Sequence, residues 1–290
     1  MAAAAAATSQ DRTPRTGHSS PPGALRRAPP GWSTSAQPAG CAPAERLPDQ
    51  QRSWPGRLPN EESRHVTDSA GRPASDVEFP AGGFVGDPAE RGQWDDRYAS
   101  QAGRLWSGRP NGALVAEVAD LTPGRVLHVG CGEGADAVWL AGRGWDVTAL
   151  EVSGVALERA AQHAQDAGVA VTWVHAGLVE AALPPASFDL VSAMYPALLR
   201  TPDAAAERAL LAAVAPGGVL LLVHHAGMET HVPEEGRPDP ADYVWPSMVA
   251  ALLDDDWQVE VDEQRPRVVP DGGAGAHHVD DVVLRARRLR

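Results

Sequence analysis

RVLHVGCGEGADAVWLAGRGWDVTALEVS, residues 125–153, decides the fold. RVLHV is a short apolar run that ends in a loop with three glycines. ADAVWLAGRG has a helical period and stops at a glycine, and DVTALEV is a second apolar run that ends near a carboxylate, Glu151. A strand, a glycine loop, a helix and a strand with an acid at its end form a nucleotide-binding crossover. Glycines permit the tight turn and let a ligand approach the backbone closely. Glu151 follows the loop by about twenty residues, the spacing of a group that accepts from ribose hydroxyls.

The alternation continues outward. GVALERAAQHAQDAG (154–168) reads as a helix with Gly168 as its stop, and VTWVHA, FDLVSAM and GVLLLVHH read as strands. TPDAAAERALLAAVAPGG (201–218) lies between the last two and reads as a helix capped by Thr201 or Asp203. Strands alternating with helices predict a parallel sheet covered on both faces. WQVEVDEQR and DDVVLRARR near the end have no helix between them, and this hairpin adds an antiparallel strand. Upstream, QWDDRYASQAGRLW and ALVAEVADL read as helices, the second stopped by Pro123-Gly124, with ordered sequence beginning near Gln93. The predicted fold is α/β, Rossmann-like and doubly wound.

The 290 residues divide unevenly. Residues 1–90 are rich in Pro, Ser, Ala, Gly and Arg without helical or strand period, the composition of a disordered tail. Residues 91–290 are expected to form the domain. The first sixty residues carry seven arginines against three acids, a net +4, so with a total of −13 the rest carries −17. An acidic domain repels phosphate backbones, which argues against a nucleic-acid partner. No apolar run approaches the ~20 residues of a membrane span. Cys41 and Cys131 make no disulfide framework, and a soluble, cytoplasmic protein is expected.

Dinucleotide loops read G-x-G-x-x-G, whereas this one reads Gly130-Cys131-Gly132-Glu133-Gly134. Glu133 stands at the helix start, where a pyrophosphate would be repelled. A ligand with one adenosine and a zwitterionic amino-acid end fits better, and a nicotinamide-dependent oxidoreductase is the weaker option. VLHVGCGEGADAVWLA, VTALEVS, VTWVHAGL, FDLVSAMY and VAPGG together resemble the ordered motifs of class I S-adenosylmethionine-dependent methyltransferases. WDDRYASQAGRLWSGRPN is similar to the small-molecule branch that includes thiopurine- and tellurite-resistance-type enzymes.

The resemblance implies a seven-stranded sheet with the last strand antiparallel, S-adenosylmethionine as cofactor and a small-molecule methyl acceptor. It assigns Gly130, Cys131, Gly132 and Gly134 to the methionine and ribose side, and Glu151 with Val152 to the ribose hydroxyls. Ala176, Gly177 and Leu178 border adenine. Ala193, Met194 and Tyr195 lie near the sulfonium and the acceptor, and Trp106 with the SGRPN turn closes over the cofactor.

Two positions depart from the family pattern. His128 stands where an acid usually organises the methionine ammonium, and Gly177 where an acid often accepts from the adenine amino group. Each lost acceptor costs about 1–3 kcal/mol if its partner stays buried and unpaired. Glu151 is then the only charged anchor, and a non-catalytic or weakly active binder on the same fold becomes the alternative. On the acceptor side the sequence offers Tyr195, His224 and His225, with His224 or His225 as a base for a hydroxyl acceptor. Residues 228–246, long for a connection, read as a lid whose Tyr243 and Trp245 either line a pocket or anchor the loop. The histidines lack a metal-ligand spacing, so no metal is expected.

Overall fold

The computed structural model describes residues 86–232, 239–268 and 275–290. The stretch expected to be a low-complexity tail lies, up to residue 85, outside the described residues, as do residues 233–238 of the expected lid.

Helices α1 (Pro88–Ala99) and α2 (Gly112–Glu117) precede the sheet. There follow β1 (Arg125–Val129), α3 (Ala135–Gly142), β2 (Asp146–Glu151), α4 (Gly154–Ala167) and β3 (Thr172–His175). Then come β4 (Phe188–Met194), α5 (Ala205–Ala213), β5 (Val214–His225), α6 (Pro246–Ala250), β6 (Trp257–Pro266) and β7 (Asp280–Arg288). The sheet order is β3-β2-β1-β4-β5-β7-β6, with β1 to β5 parallel. β7 runs antiparallel between β5 and β6, as the terminal hairpin predicts. The chain winds outward from β1 to β3 and then returns to lay β4 on the other side of β1. This reversal opens a crevice at the carboxyl ends of β1 and β4.

Successive strand residues face opposite sides, and both sides are apolar. Val126, Leu190, Leu221 and Val283 join α2, α3 and α4 in one core, while Leu127, Val191, Leu222 and Leu284 join α5 and α6 in the other. The parity places His128 on the α3 side, in register with Ser192 of β4. His128 lines the crevice, and Ser192, buried behind it, does not.

Local departures from the sequence reading have local causes. α1 begins at Pro88, before Gln93, because the Asp87 side chain accepts from the Ala89 amide at 2.9 Å and the proline sets the first turn. α2 stops at Glu117, short of Pro123-Gly124. The first residue before α5 is Ala204 in the left-handed region, yet Thr201 still caps, its Oγ1 accepting from Ala205 at 2.9 Å. Gly168 ends α4 at φ 66°, as expected. Among the described residues no helix is long and apolar enough to cross a membrane.

Candidate active site

The crevice widens into a cleft of about 370 Å³ at the switch point, within the size range of small-molecule sites. The glycine loop forms its floor. Gly130 and Gly132 have φ of 67° and 51°, so the backbone turns where other residues would strain. Gly134 serves differently. It starts α3 at φ 82°, and a Cβ there would stand 2.8 Å from that of Ala160, so it lets α3 pack against α4 and does not line the cleft.

Glu151 is buried, and its carboxylate ties the loop to the strand. Oε2 accepts from Gly132 N at 2.9 Å, and Oε1 accepts from the amides of Val152 and Ser153 at 3.0 Å each. Burial raises its pKa, against the lowering effect of these amide bonds. Cys131 is buried in the same loop, and burial raises its thiol pKa well above the ordinary range, so it stays a protonated, inert thiol.

The segment before β1 folds over the loop. The Leu105 and Trp106 amides donate to Glu133 at 3.1 Å, and Trp106 Nε1 donates to Tyr98 Oη at 3.0 Å. Arg159 of α4 completes the tie. It pairs with Glu133 at 2.8 Å and donates to the carbonyls of Tyr98, Gln101 and Gly103. Sequence reasoning took Glu133 for a charge that repels phosphate. Here its charge is matched by Arg159, and its work is to hold Trp106 over the cleft. The spacing signal for Arg159 is absent because the pair joins a loop to a helix 26 residues on.

His128 is buried, with Nδ1 2.9 Å from Ser192 Oγ and Nε2 3.6 Å from Asp136 Oδ2. Burial lowers its pKa, so the imidazole is neutral at pH 7. Asp136, in the first turn of α3, lines the cleft and is buried too. Its two oxygens accept from the backbone and side-chain nitrogens of Asn111, each at 2.7 Å. Glu151 is therefore not the only carboxylate in the cleft wall, which corrects the sequence reading. Asn111 sits in the SGRPN turn, and Ser107, Gly108 and Arg109 of that turn also line the cleft.

Ala176 and Leu178 supply apolar wall after β3, with Val152 beside them. Gly177 and Ala193 do not line the cleft: Ala193 faces the opposite core, and a Cβ on Gly177 would collide with Glu180 Oε2. That carboxylate is the exposed end of a flexible side chain, so it can swing away from position 177.

The other end of the cleft is aromatic. Met194 and Tyr195 close β4, and Tyr195 takes φ 53°, a strained value for a bulky residue. Its hydroxyl donates to buried Asp281 at 3.0 Å. The rings of Tyr195, His225 and His278 stack at 4.1 and 4.0 Å, and Arg267 lies 4.9 Å over Tyr195. The two candidate bases separate. His224 Nε2 lies 3.2 Å from the Pro196 carbonyl, its Nδ1 accepts from the His225 amide, and burial lowers its pKa to about 4. His225 Nδ1 has no hydrogen-bond partner among the described residues and stands 3.8 Å from Asp281. Trp245 is buried against His224 and donates to Pro240 O, and Tyr243 bridges to Leu199, so both anchor the connection instead of lining the cleft. Among the described residues no cluster of three or more His, Cys, Asp or Glu could hold a metal.

Known proteins agree with this geometry. Residues 126–218 match the model of a family described as a methyltransferase domain. A ubiquinone biosynthesis O-methyltransferase of Ralstonia nicotianae is 34% identical over 153 residues, which cover 48% of this chain and 64% of that protein. An uncharacterised methyltransferase of Mycobacterium bovis is 37% identical over 112 residues, covering 38% of this chain and 55% of the relative. The chain thus spans less than two thirds of the length of these relatives. Among solved structures, one titled for the conversion of a disulfide bond into a thioacetal group during echinomycin biosynthesis superposes with a TM-score of 0.54. It is 25% identical and covers 69% of this chain and 92% of the other. Sheet order, glycine loop and family match converge on the residues that line the cleft, and residues 126–218 are similar to a methyltransferase domain.

Proposed function

We propose that the protein transfers the methyl group of S-adenosylmethionine to a small-molecule nucleophile, a thiol, a hydroxyl or a similar group. The observation that carries this reading is a single cleft with two chemically distinct ends. One end has the glycine loop, Glu151 and Asp136; the other has Tyr195, His225 and His278. The residues fit the cofactor. Gly130 and Gly132 admit it to the backbone, Glu151 Oε2 keeps an unused lone pair for a ribose hydroxyl, and Ala176 and Leu178 offer apolar wall to a flat base. Bound S-adenosylmethionine supplies an electrophilic methyl on a sulfonium.

The chain's own part is chiefly positioning, which can contribute several kcal/mol to such a displacement. Trp106, held by Tyr98, and the turn after it exclude water from one side. Where the acceptor is a hydroxyl, His225 is the group to take its proton: it lines the cleft, and His224 has both ring nitrogens engaged. The relative named for ubiquinone biosynthesis acts as an O-methyltransferase by name, which favours a hydroxyl. The acidic composition disfavours a nucleic-acid acceptor, and we place the protein in the cytoplasm on its cysteine usage.

Calorimetry with S-adenosylhomocysteine, S-adenosylmethionine and NAD tests the reading. Heat is expected with the first two and not with NAD. Folded protein that gives no heat at millimolar S-adenosylhomocysteine refutes it. The departures at His128 and Gly177 keep a non-catalytic binder as the second reading. That protein would bind but release no S-adenosylhomocysteine from S-adenosylmethionine with any phenol or thiol.

A further inference from the structure

We infer that Asp136 is the anion that receives the ammonium group of an amino-acid-bearing nucleoside, in place of an acid at position 128. This deepens the methyltransferase reading and rests on it. The buried carboxylates of the cleft differ in how their charge is met. Glu133 has Arg159 at 2.8 Å, and Glu151 has three backbone amides. Asp136 has only the two neutral donors of Asn111, and among the described residues no arginine pairs with it.

A buried carboxylate without a counter-charge is costly. The start of α3 meets part of that cost, since a helix N-terminus favours negative charge. The remainder is met when a cation enters the cleft. Each Asp136 oxygen accepts one hydrogen bond in this structure, and a carboxylate has about four acceptor sites, so there is room for an ammonium. Strand parity turns His128 toward α3, and its Nε2 ends 3.6 Å from Asp136 Oδ2. An acid at 128 and an acid at 136 would therefore serve the same small volume. His128, held neutral by burial and engaged by Ser192, does not repel the incoming cation.

The test uses the full chain and two ligands, S-adenosylhomocysteine and 5′-methylthioadenosine, which lacks the amino-acid end. Asp136→Asn is expected to weaken S-adenosylhomocysteine about ten- to hundredfold, the range of a lost charge-assisted hydrogen bond, and to leave 5′-methylthioadenosine within about twofold. Asp136→Glu keeps the charge and retains more of the S-adenosylhomocysteine affinity. His128→Asp alone gains nothing, because two carboxylates crowd one buried site and share a proton. His128→Asp with Asp136→Asn moves the acid back to the strand and recovers most of the affinity.

Equal weakening of both ligands by a folded Asp136→Asn protein, or no weakening of either, overturns the inference while leaving the methyltransferase reading intact. So does a gain in affinity from His128→Asp alone. A wild-type protein that binds neither ligand overturns the cofactor reading and this inference with it.

Discussion

Replacing Glu151 with alanine removes the acceptor of three backbone N–H groups before it removes anything from a ligand. The amides of Gly132 and Ser153 are buried and that of Val152 is partly exposed. An orphaned buried amide costs about 1–3 kcal/mol, so two of them cost roughly 2–6 kcal/mol. Loss of a buried charge, whose desolvation raises the Glu151 pKa, returns part of this. A net destabilisation of about 2–4 kcal/mol is expected, which lowers the melting temperature by roughly 5–15 °C for a domain of this size. Glu151→Gln keeps one acceptor oxygen and costs about half as much. Thermal unfolding followed by circular dichroism, without ligand, measures both. The reasoning is refuted if Glu151→Ala melts within about 1 °C of wild type, for then the carboxylate does not hold the loop. If it melts as expected, weakened cofactor binding by this variant reports a collapsed loop as much as a lost ribose contact.

Three further outcomes follow from other contacts. Gly134→Ala places a methyl 2.8 Å from Ala160 Cβ at a φ of 82° and is expected to destabilise by about 2–4 kcal/mol, read as a shifted urea midpoint with unchanged slope. Gly177→Asp, which supplies the family's missing acid, displaces only the exposed end of Glu180 and enters a position that does not line the cleft, so it is expected to leave S-adenosylhomocysteine affinity unchanged; tighter binding by calorimetry would contradict this placement.

The pH dependence follows from His224. Its pKa falls from 6.5 unfolded to about 4 in the fold, mainly by burial. Between these values the unfolded chain binds the proton and the folded chain does not, so stability is lost as pH falls from about 6.5 to about 4. The loss is on the order of 3 kcal/mol, and His278, lowered to about 4 as well, acts in the same direction. Urea midpoints at pH 7.5 and pH 5 capture about 2 kcal/mol of it, and His224→Asn is expected to flatten the difference.

Residues 125–153 determined the fold by themselves. Short apolar runs, a helical run stopped by glycine and the acid at Glu151 are local signals, and β1 and β2 lie within a residue of their predicted spans, whereas β5 begins at Val214, inside the stretch read as a helix. The terminal hairpin was legible for the same reason, because two β-rich runs without an intervening helix leave few ways to join a sheet. The glycine loop and Glu151 were legible as a site because their chemistry is carried by spacing along the chain.

The electrostatics of the cleft were not legible. Whether His128 leaves the site without an anion depends on Asp136, eight positions on, and on the strand parity that turns one toward the other. The fate of Glu133 depends on Arg159, and the distinction between His224 and His225 depends on Pro196 and Asp281 from other strands and loops. Helix and strand positions follow from hydrogen bonds among near neighbours, which sequence periodicity records. The pairing of buried charges is set by contacts across the sheet and between layers, and only the folded chain brings those groups within reach of one another.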